Sequence, residues 1–229
     1  MVSEVRYKGR LITVLIVLLT NLIYTVYYYF RDGSVDWIEY IGYPIVLPIA
    51  WWFGKQYDKA KYYSEKDSLT GIYNRRYIET IFPKIRAKTE QNSQRVAVLL
   101  IDVNDFKNIN DHFGHKVGDE YLNVLATSLK KSVRKTDIVA RYGGDEFLIV
   151  LPDIQKQEYL DEMIHRIHEN LKSISKPGIE LSVSIGSAFY PSEGRTFDEL
   201  LNMADKNMYH IKEHTKRWNN KLNTTCFSS

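Results

Sequence analysis

Residues 138–151, IVARYGGDEFLIVL, decide the fold. Ile138 to Tyr142 and Phe147 to Leu151 are short apolar runs separated by Gly143, Gly144, Asp145 and Glu146. A Gly-Gly pair between two such runs reads as a tight hairpin turn, because glycine takes a positive φ at little steric cost. Upstream, Val96 to Ile101 (VAVLLI) is a continuous apolar run of the kind a buried central strand requires, and Asp102 terminates it. Val117, Tyr121, Leu125, Leu129 and Val133 recur every four residues with Leu122 beside them, which is one face of a helix. Residues 155–173 and 196–213 read as helices, and 180–189 as a strand. Strands and helices alternating around one sheet give an α/β or α+β sandwich.

This arrangement brings two acidic clusters together. Asp102 ends the first buried strand, and Asp145 with Glu146 occupies the exposed tip of the hairpin. If the hairpin pairs with that strand, the carboxylates converge at one end of the sheet, which is unfavourable without a cation between them. Mg²⁺ takes hard oxygen ligands and sits between one or two carboxylates and substrate phosphates. The residues therefore read as a metal-assisted phosphoryl or nucleotidyl transfer site. The competing reading is a solvated acidic turn.

The amino-terminal third has a different character. Leu11 to Phe30 carries no charge and matches the ~20 residues that cross a bilayer. A second apolar run, Trp37 to Phe53, contains Pro44 and Pro48 and is flanked by Asp36. The expectation is a transmembrane hairpin over residues 1–53, with helices at about 11–30 and 36–53. Tyr27 to Tyr29, Trp37, Trp51 and Trp52 stand at its interfaces. Arg6, Lys8 and Arg10 precede the first run, and Lys55, Lys59, Lys61 and Lys66 follow the second. By the positive-inside rule both ends are cytoplasmic, in a multi-pass protein of the cell membrane. A cleaved signal peptide is disfavoured, because the run is long and ends in bulky Tyr and Phe. A core helix of a soluble domain is disfavoured because the run is apolar on every side. Residues 54–66 read as a juxtamembrane helix, either solvated or pairing two protomers.

Composition sets the outer limits. The chain has 229 residues, enough for one domain and an appendage. A net charge of +3 with no basic stripe argues against nucleic acid. A single cysteine, Cys226, excludes an internal disulfide framework.

Five motifs in order resemble the GGDEF family of diguanylate cyclases. Tyr142 to Phe147 (YGGDEF) contains its signature, and Asp67 to Arg76 (DSLTGIYNRR) resembles its opening motif, DxLTGLxNRR. Asp102 to Asp119 (DVNDFKNINDHFGHKVGD) is similar to DxDxFKxxND..GHxxGD. Ser182 to Ala188 (SVSIGSA) looks like SxSxGxA, and Ala204 to Lys212 (ADKNMYHIK) like ADxALYxAK. The resemblance spans residues 67–217, leaving 218–229 as a polar tail. It implies a palm-like central sheet flanked by helices. It also implies a homodimer in which each domain binds one GTP and each 3′-hydroxyl attacks the other's α-phosphate, giving cyclic di-GMP and pyrophosphate.

Residue roles follow from the same resemblance. Asp102, the Val103 carbonyl and Asp145 hold Mg²⁺ (or Mn²⁺), and Glu146 is either a further metal contact or the base. Gly143 and Gly144 admit the α-phosphate. Asn110 and Asp119 read guanine, with His115 beside them. The competing reading of Asp119 is an ordinary acid in the first turn of a helix. Backbone N–H groups at Asp105, Phe106 and Lys107, with Lys212 and Lys216, meet the phosphate tail. Arg134 and Asp137 match the RxxD site that binds product and inhibits, or else a helix-end arginine beside a strand-start acid.

The chain departs from the pattern twice. Thr215-Lys216-Arg217 stands where the family continues GRN, so that Lys216 occupies the arginine position and Arg217 lies beside it. Asn104 replaces an acid, a loss of charge expected to matter little. The alternative function is a catalytically silent module that binds nucleotide and signals by contact. The intact acidic signature favours turnover.

Overall fold

The computed structural model describes residues 7–34, 41–154, 157–174 and 181–226, with backbone alone for 157 and 213–226. The chain forms two compact units, Met1–Glu65 and Lys66–Ser229.

The first unit contains two helices, α1 (Lys8–Asp32) and α2 (Tyr43–Glu65), packed on each other. Leu11, Ile12, Leu15, Ile16, Leu19, Leu22, Ile23 and Val26 of α1 are all exposed. Among the described residues, α1 is the one helix long and apolar enough to cross a membrane. The expected second span starts at residues 36–40, which lie outside the described residues. What is described of its apolar part, Tyr43 to Phe53, is shorter than the ~20 residues a crossing needs. The segment read as a juxtamembrane helix, 54–66, is helical to Glu65 and continuous with the helix before it. α2 runs through to Glu65, because Lys, Gln, Ala and Glu beyond Gly54 are good helix formers.

The contact between α1 and α2 is specific. A Cβ on Gly54 would lie 2.4 Å from the Cα of Arg10, and one on Gly9 would lie 2.6 Å from Asp58 Oδ1, so the helices touch through glycine. Asp58 is buried and accepts from the N–H of Gly9 at 2.7 Å and of Arg10 at 3.4 Å. These are first-turn donors of α1 with no partner inside their own helix, and a carboxylate there also meets the positive end of the helix dipole. The guanidinium of Arg10 lies over the rings of Tyr7 and Trp51, 4.5 and 5.5 Å from their centroids. Thr13 Oγ1 donates to the Ala50 carbonyl at 2.8 Å, and the Tyr43 hydroxyl donates to Asn21.

The second unit is an α/β sandwich around a mixed five-stranded sheet. In chain order it contains β1 (Tyr73–Asn74), α3 (Arg75–Gln91), β2 (Val96–Val103), α4 (Phe106–Phe113), α5 (His115–Ser132), β3 (Ile138–Arg141), β4 (Glu146–Leu151), α6 (Gln157–Ile174), β5 (Val183–Tyr190) and α7 (Phe197–Cys226). The sheet order is β1-β3-β4-β2-β5, with only β1 and β3 parallel. β2 is central, and its unbroken apolar run serves two cores by alternation. Ala97, Leu99, Ile101 and Val103 join Tyr121, Leu125 and Leu129 of α5 and Leu160, Met163 and Ile167 of α6. Val96, Val98 and Leu100 face the other way, onto Ile78 and Phe82 of α3 and Leu200, Ala204 and Met208 of α7.

Three expectations need correction. α7 continues to Cys226, beyond the expected end at 213 and through most of the stretch read as a polar tail. The hairpin turn does not use a positive φ at its glycines: the glycines with positive φ among the described residues are Gly33, Gly71 and Gly114. Instead the turn closes with the N–H groups of Tyr142 and Gly143 both donating to the Glu146 carbonyl, at 2.8 and 3.2 Å. Finally, Glu146 is not at the tip. It opens β4, and both it and Asp145 are half-buried.

Candidate functional site

The register of the sheet builds the acidic centre. β2 and β4 are antiparallel with Asp102 opposite Glu146, so their side chains share a face, and the Val103 N–H donates to the Asp145 carbonyl at 3.2 Å. The expected convergence is present for Asp102 and Glu146, with Asp145 in the adjoining turn near enough to act on the Glu146 charge; among the described residues no three such side chains are grouped closely enough to hold a metal ion by themselves. Burial, reinforced by Asp102, Asp145 and then Asp205 of α7, pushes the Glu146 carboxyl above its ordinary range, and Lys212 partly opposes the rise. Lys212, expected at the phosphate tail, instead places its ammonium 2.5 Å from Asp102 Oδ1. A cation thus already stands against the carboxylate cluster. The donor chemistry, two or three hard oxygen groups with a backbone carbonyl at Val103, fits Mg²⁺ or Mn²⁺.

α7 reaches the cluster because of a glycine. A Cβ on Gly186 of β5 would lie 2.1 Å from the Ala204 carbonyl oxygen and 2.4 Å from the Met208 N, so the helix packs directly on strand backbone. The two glycines of the turn serve different ends. A Cβ on Gly143 would lie 2.5 Å from Glu146 Oε2, so this glycine leaves room for the carboxylate. At Gly144 no protein atom lies within 4 Å of the added carbon, so that side of the turn is open.

Arg141 holds the turn, a role the sequence reading missed although the residue stands next to YGGDEF. Its Nε and Nη2 donate to the Gly144 carbonyl at 3.1 and 2.7 Å, while Nη1 donates to Asp67 Oδ1 at 3.3 Å. Asp67 also accepts from the N–H and hydroxyl of Thr70, at 2.9 and 2.6 Å. Burial alone would raise its pKa, but the bonds from Thr70 and Arg141 outweigh it and lower the pKa below the ordinary range. The brace is therefore intact above the ordinary carboxylate pKa and is lost only as pH falls through the lower folded value. From the same opening motif, Arg75 lies 4.5 Å from the centroid of the Tyr142 ring.

A second group lies at the junction of α4 and α5. Asp105 precedes α4 with φ 54°, a left-handed conformation unusual for a residue with a Cβ, and its side chain makes no cap bond. Phe106 and Lys107 open α4, so Asp105 to Lys107 lie at a helix N-terminus whose free N–H groups suit an anion. Asn110 Oδ1 is buried and, among the described residues, has no hydrogen-bond partner. Gly118 of α5 is what admits it, since a Cβ there would lie 2.0 Å from that oxygen. His115 is the first residue of α5 and is exposed. Asp119 is exposed in the second turn, not in the first turn that its competing reading as an ordinary helix-start acid required.

Arg134 and Asp137 are joined locally: the Arg134 N–H donates to Asp137 Oδ2 at 2.8 Å. The guanidinium of Arg134 lies 3.8 Å from the centroid of Tyr159, whose hydroxyl donates to Asp137 Oδ2 at 3.3 Å. Burial and then Asp137 raise the Tyr159 pKa. Tyr159 carried no sequence signal strong enough to single it out, and Gly118, although a fixed position of the GHxxGD motif, was given no role. The side chains of Lys216 and Arg217 lie outside the described residues.

Residues 64–217 match the family described as diguanylate cyclase, GGDEF domain. The chain is 38% identical over 150 residues to the diguanylate cyclase DosC of Escherichia coli K12, covering 64% of this chain and 32% of that protein. It is 35% identical over 152 residues to the response regulator PleD of Caulobacter vibrioides, covering 64% and 33%. It thus spans about a third of these relatives' length. The solved GGDEF domain of YfiN (TpbB) from Pseudomonas aeruginosa matches with a TM-score of 0.60 at 32% identity, over 63% of this chain and 92% of that one. A microbial GGDEF domain studied in its interaction with cyclic di-GMP matches with a TM-score of 0.59 at 29% identity, over 68% and 94%. With this match over residues 64–217, the chain belongs to the GGDEF family.

Proposed function

We propose that this chain is a diguanylate cyclase held at a membrane, which condenses two GTP into cyclic di-GMP and two pyrophosphates. The observation that carries the reading is the register that sets Asp102 opposite Glu146, with Asp145 in the adjoining turn, at one end of the central sheet. In this reading residues 67–217 are the catalytic domain, which follows the hairpin of residues 1–53 and the helical segment 54–66.

Asp102, the Val103 carbonyl, Asp145 and Glu146 hold Mg²⁺ or Mn²⁺. Such an ion supplies charge stabilisation at the α-phosphate and acidifies the attacking 3′-hydroxyl. The chain's own residues do the positioning. The open side of Gly144 lets the turn backbone approach the phosphate, and the N–H groups that open α4 bind the triphosphate together with Lys212 and Lys216. Lys212, whose ammonium lies 2.5 Å from Asp102 Oδ1, stands where it would share the charge of the phosphates. Asn110 Oδ1, buried without a partner, is set to accept from guanine, and Asp119 accepts from N1–H and the 2-amino group. A site built to receive those donors rejects adenine, which lacks the pair.

Because each domain binds one GTP, the active species is a homodimer, and product bound at Arg134 and Asp137 opposes productive pairing. The likeness to a GGDEF domain that interacts with cyclic di-GMP supports this. The test uses the full chain in nanodiscs holding two copies, with GTP and Mg²⁺ and products identified by mass. Cyclic di-GMP and pyrophosphate are expected from GTP, and no cyclic product from ATP. Progress curves should level off early, and Arg134→Ala should carry them several-fold further from an unchanged initial rate. Wild-type chain that binds GTP without turnover would favour the silent module. Equal plateaus for wild type and variant would leave Arg134 as a helix-end residue.

The anchor is read as a two-span hairpin with both termini and the catalytic domain in the cytoplasm. Its support is the α1–α2 packing and the basic residues at both ends. A reporter fused after Ser229 is then cytoplasmic and one inserted at Gly33 external. If only α1 spans, a reporter before Lys8 and one after Ser229 lie on opposite sides.

A further inference from the structure

Ser182 and Ser184, the first two serines of SVSIGSA, have no part in the chemistry above, yet both meet one amide beside the acidic centre. Asn104 Nδ2 donates to Ser182 Oγ at 3.1 Å, and Ser184 Oγ donates to Asn104 Oδ1 at 2.7 Å. The Asn104 backbone N–H donates to the Ser182 carbonyl at 3.0 Å, extending the β2–β5 pairing past Val103. Ser184 is only 9% exposed, so without Asn104 its hydroxyl would be left buried and unsatisfied. Ser182, just before β5, and Ser184 within it are two residues apart, and an amide offers one donor group and one acceptor. The set is closed.

Its position gives it consequence. Asn104 lies between Val103, whose carbonyl is assigned to the cation, and Asp105, whose φ of 54° starts α4. The left-handed conformation is strained for a residue with a Cβ unless its side chain bonds locally, and the Asp105 side chain makes no cap bond. The turn is fixed from its flanks instead. On one side the Val103 N–H donates to the Asp145 carbonyl at 3.2 Å, and on the other Asn104 is tied to β5. Asn104 cannot itself serve as a ligand in this arrangement, since its amide oxygen and nitrogen are both engaged by serines.

We propose that Asn104 is a positioning residue: clamped between Ser182 and Ser184, it aims the Val103 carbonyl and the first N–H groups of α4 at the nucleotide's phosphates and their cation. This rests on the cyclase reading. It assigns the two serines of the motif to the site, and it revises the expectation that Asn104 matters little. An aspartate at 104 preserves the clamp, because both hydroxyls can rotate to donate to it. An alanine removes it.

The experiment titrates full chain in nanodiscs with 3′-deoxy-GTP, which binds but lacks the attacking hydroxyl, across a range of Mg²⁺ by calorimetry. Asn104→Ala should raise the Mg²⁺ needed for half-maximal binding about tenfold or more, the scale found when a partner that orients a metal's ligands is removed. Asn104→Asp should stay within about threefold of wild type by the same scale. The double variant Ser182→Ala/Ser184→Ala should match Asn104→Ala, and the triple variant should lose nothing more. Wild-type Mg²⁺ dependence in Asn104→Ala, whatever its melting temperature, overturns the proposal, as does an Asn104→Asp no better than alanine. If Asn104→Ala fails to fold, Ser182→Ala at its half-buried position gives the same reading with a smaller shift. Wild type that binds 3′-deoxy-GTP but makes no cyclic di-GMP from GTP defeats the cyclase reading and leaves the clamp standing.

Discussion

Asp145→Ala and Glu146→Gln are expected to lower cyclic di-GMP formation by the full chain on the order of 10³-fold, the scale of removing a group that stabilises charge in the transition state. The two variants should differ in stability. The folded protein holds Glu146 at raised pKa, because burial and the neighbouring Asp102 and Asp145 disfavour its charge. Ionised Glu146 therefore weakens the cation-free fold at neutral pH, and that penalty is relieved as pH falls through its folded pKa. Glu146→Gln removes the charge and keeps the shape, so without Mg²⁺ it should melt higher than wild type. Adding Mg²⁺ and GTP should narrow the difference, since bound cation stabilises the wild-type cluster. Loss of activity together with a higher cation-free melting temperature is the signature of a binding site held against its own electrostatics. Wild-type turnover in either variant would remove the acidic centre from the mechanism, and a lower melting temperature for Glu146→Gln would contradict the repulsion.

The sheet and its acidic end were legible because they rest on short-range signals. VAVLLI can only be a strand buried on both faces in this context, and the two runs around Gly143 and Gly144 have few ways to pair. The turn's mechanism was not legible. Positive φ is the usual reason for glycine pairs, whereas here Gly143 leaves room for Glu146, a tertiary demand with no local pattern. Arg141 stood in plain view but looked like an alternating strand residue. Its bond to Asp67 spans 74 positions, which periodicity cannot report. Lys212 was read from its motif as a phosphate contact, and its pairing with Asp102, 110 positions away, had no local pattern to announce it. The second apolar run, whose first residues lie outside the described ones, belongs to one helix that carries on past Gly54 to Glu65, a continuity that apolar composition alone does not report. Asn110 illustrates the opposite case. The motif named it, but only the structure exposes its orphaned oxygen and the bare Gly118 that makes room for it.

Two glycine substitutions separate folding from function, and they should move in opposite directions. Gly186→Ala places a methyl 2.1 Å from the Ala204 carbonyl oxygen and 2.4 Å from the Met208 N, both of them backbone atoms of a long helix. Neither can rotate away, so α7 must lift from β5. Overpacking of a core typically costs ~1–3 kcal/mol, and contact against rigid backbone belongs at or above the top of that range. Gly186→Val adds two further carbons and is expected to leave the second unit unfolded. In Gly186→Ala, activity should fall with the melting temperature, because Lys212 rides on α7 toward Asp102. Gly144→Ala is the counterpart. No protein atom lies within 4 Å of the added carbon, and Gly144 is not among the glycines with positive φ. Alanine there restricts the unfolded chain, which at a compatible site stabilises by ~0.4–1 kcal/mol. Its methyl nevertheless occupies the space through which the turn approaches the α-phosphate, and displacing reacting atoms by about 1 Å can cost ~10²-fold in rate. The expected pattern is a melting temperature equal to or above wild type with turnover reduced by that order, measured on the same preparations. Gly144→Ala with wild-type activity would move the phosphate elsewhere. Gly186→Ala with wild-type stability would mean that the α7–β5 contact gives way more easily than two backbone atoms should allow.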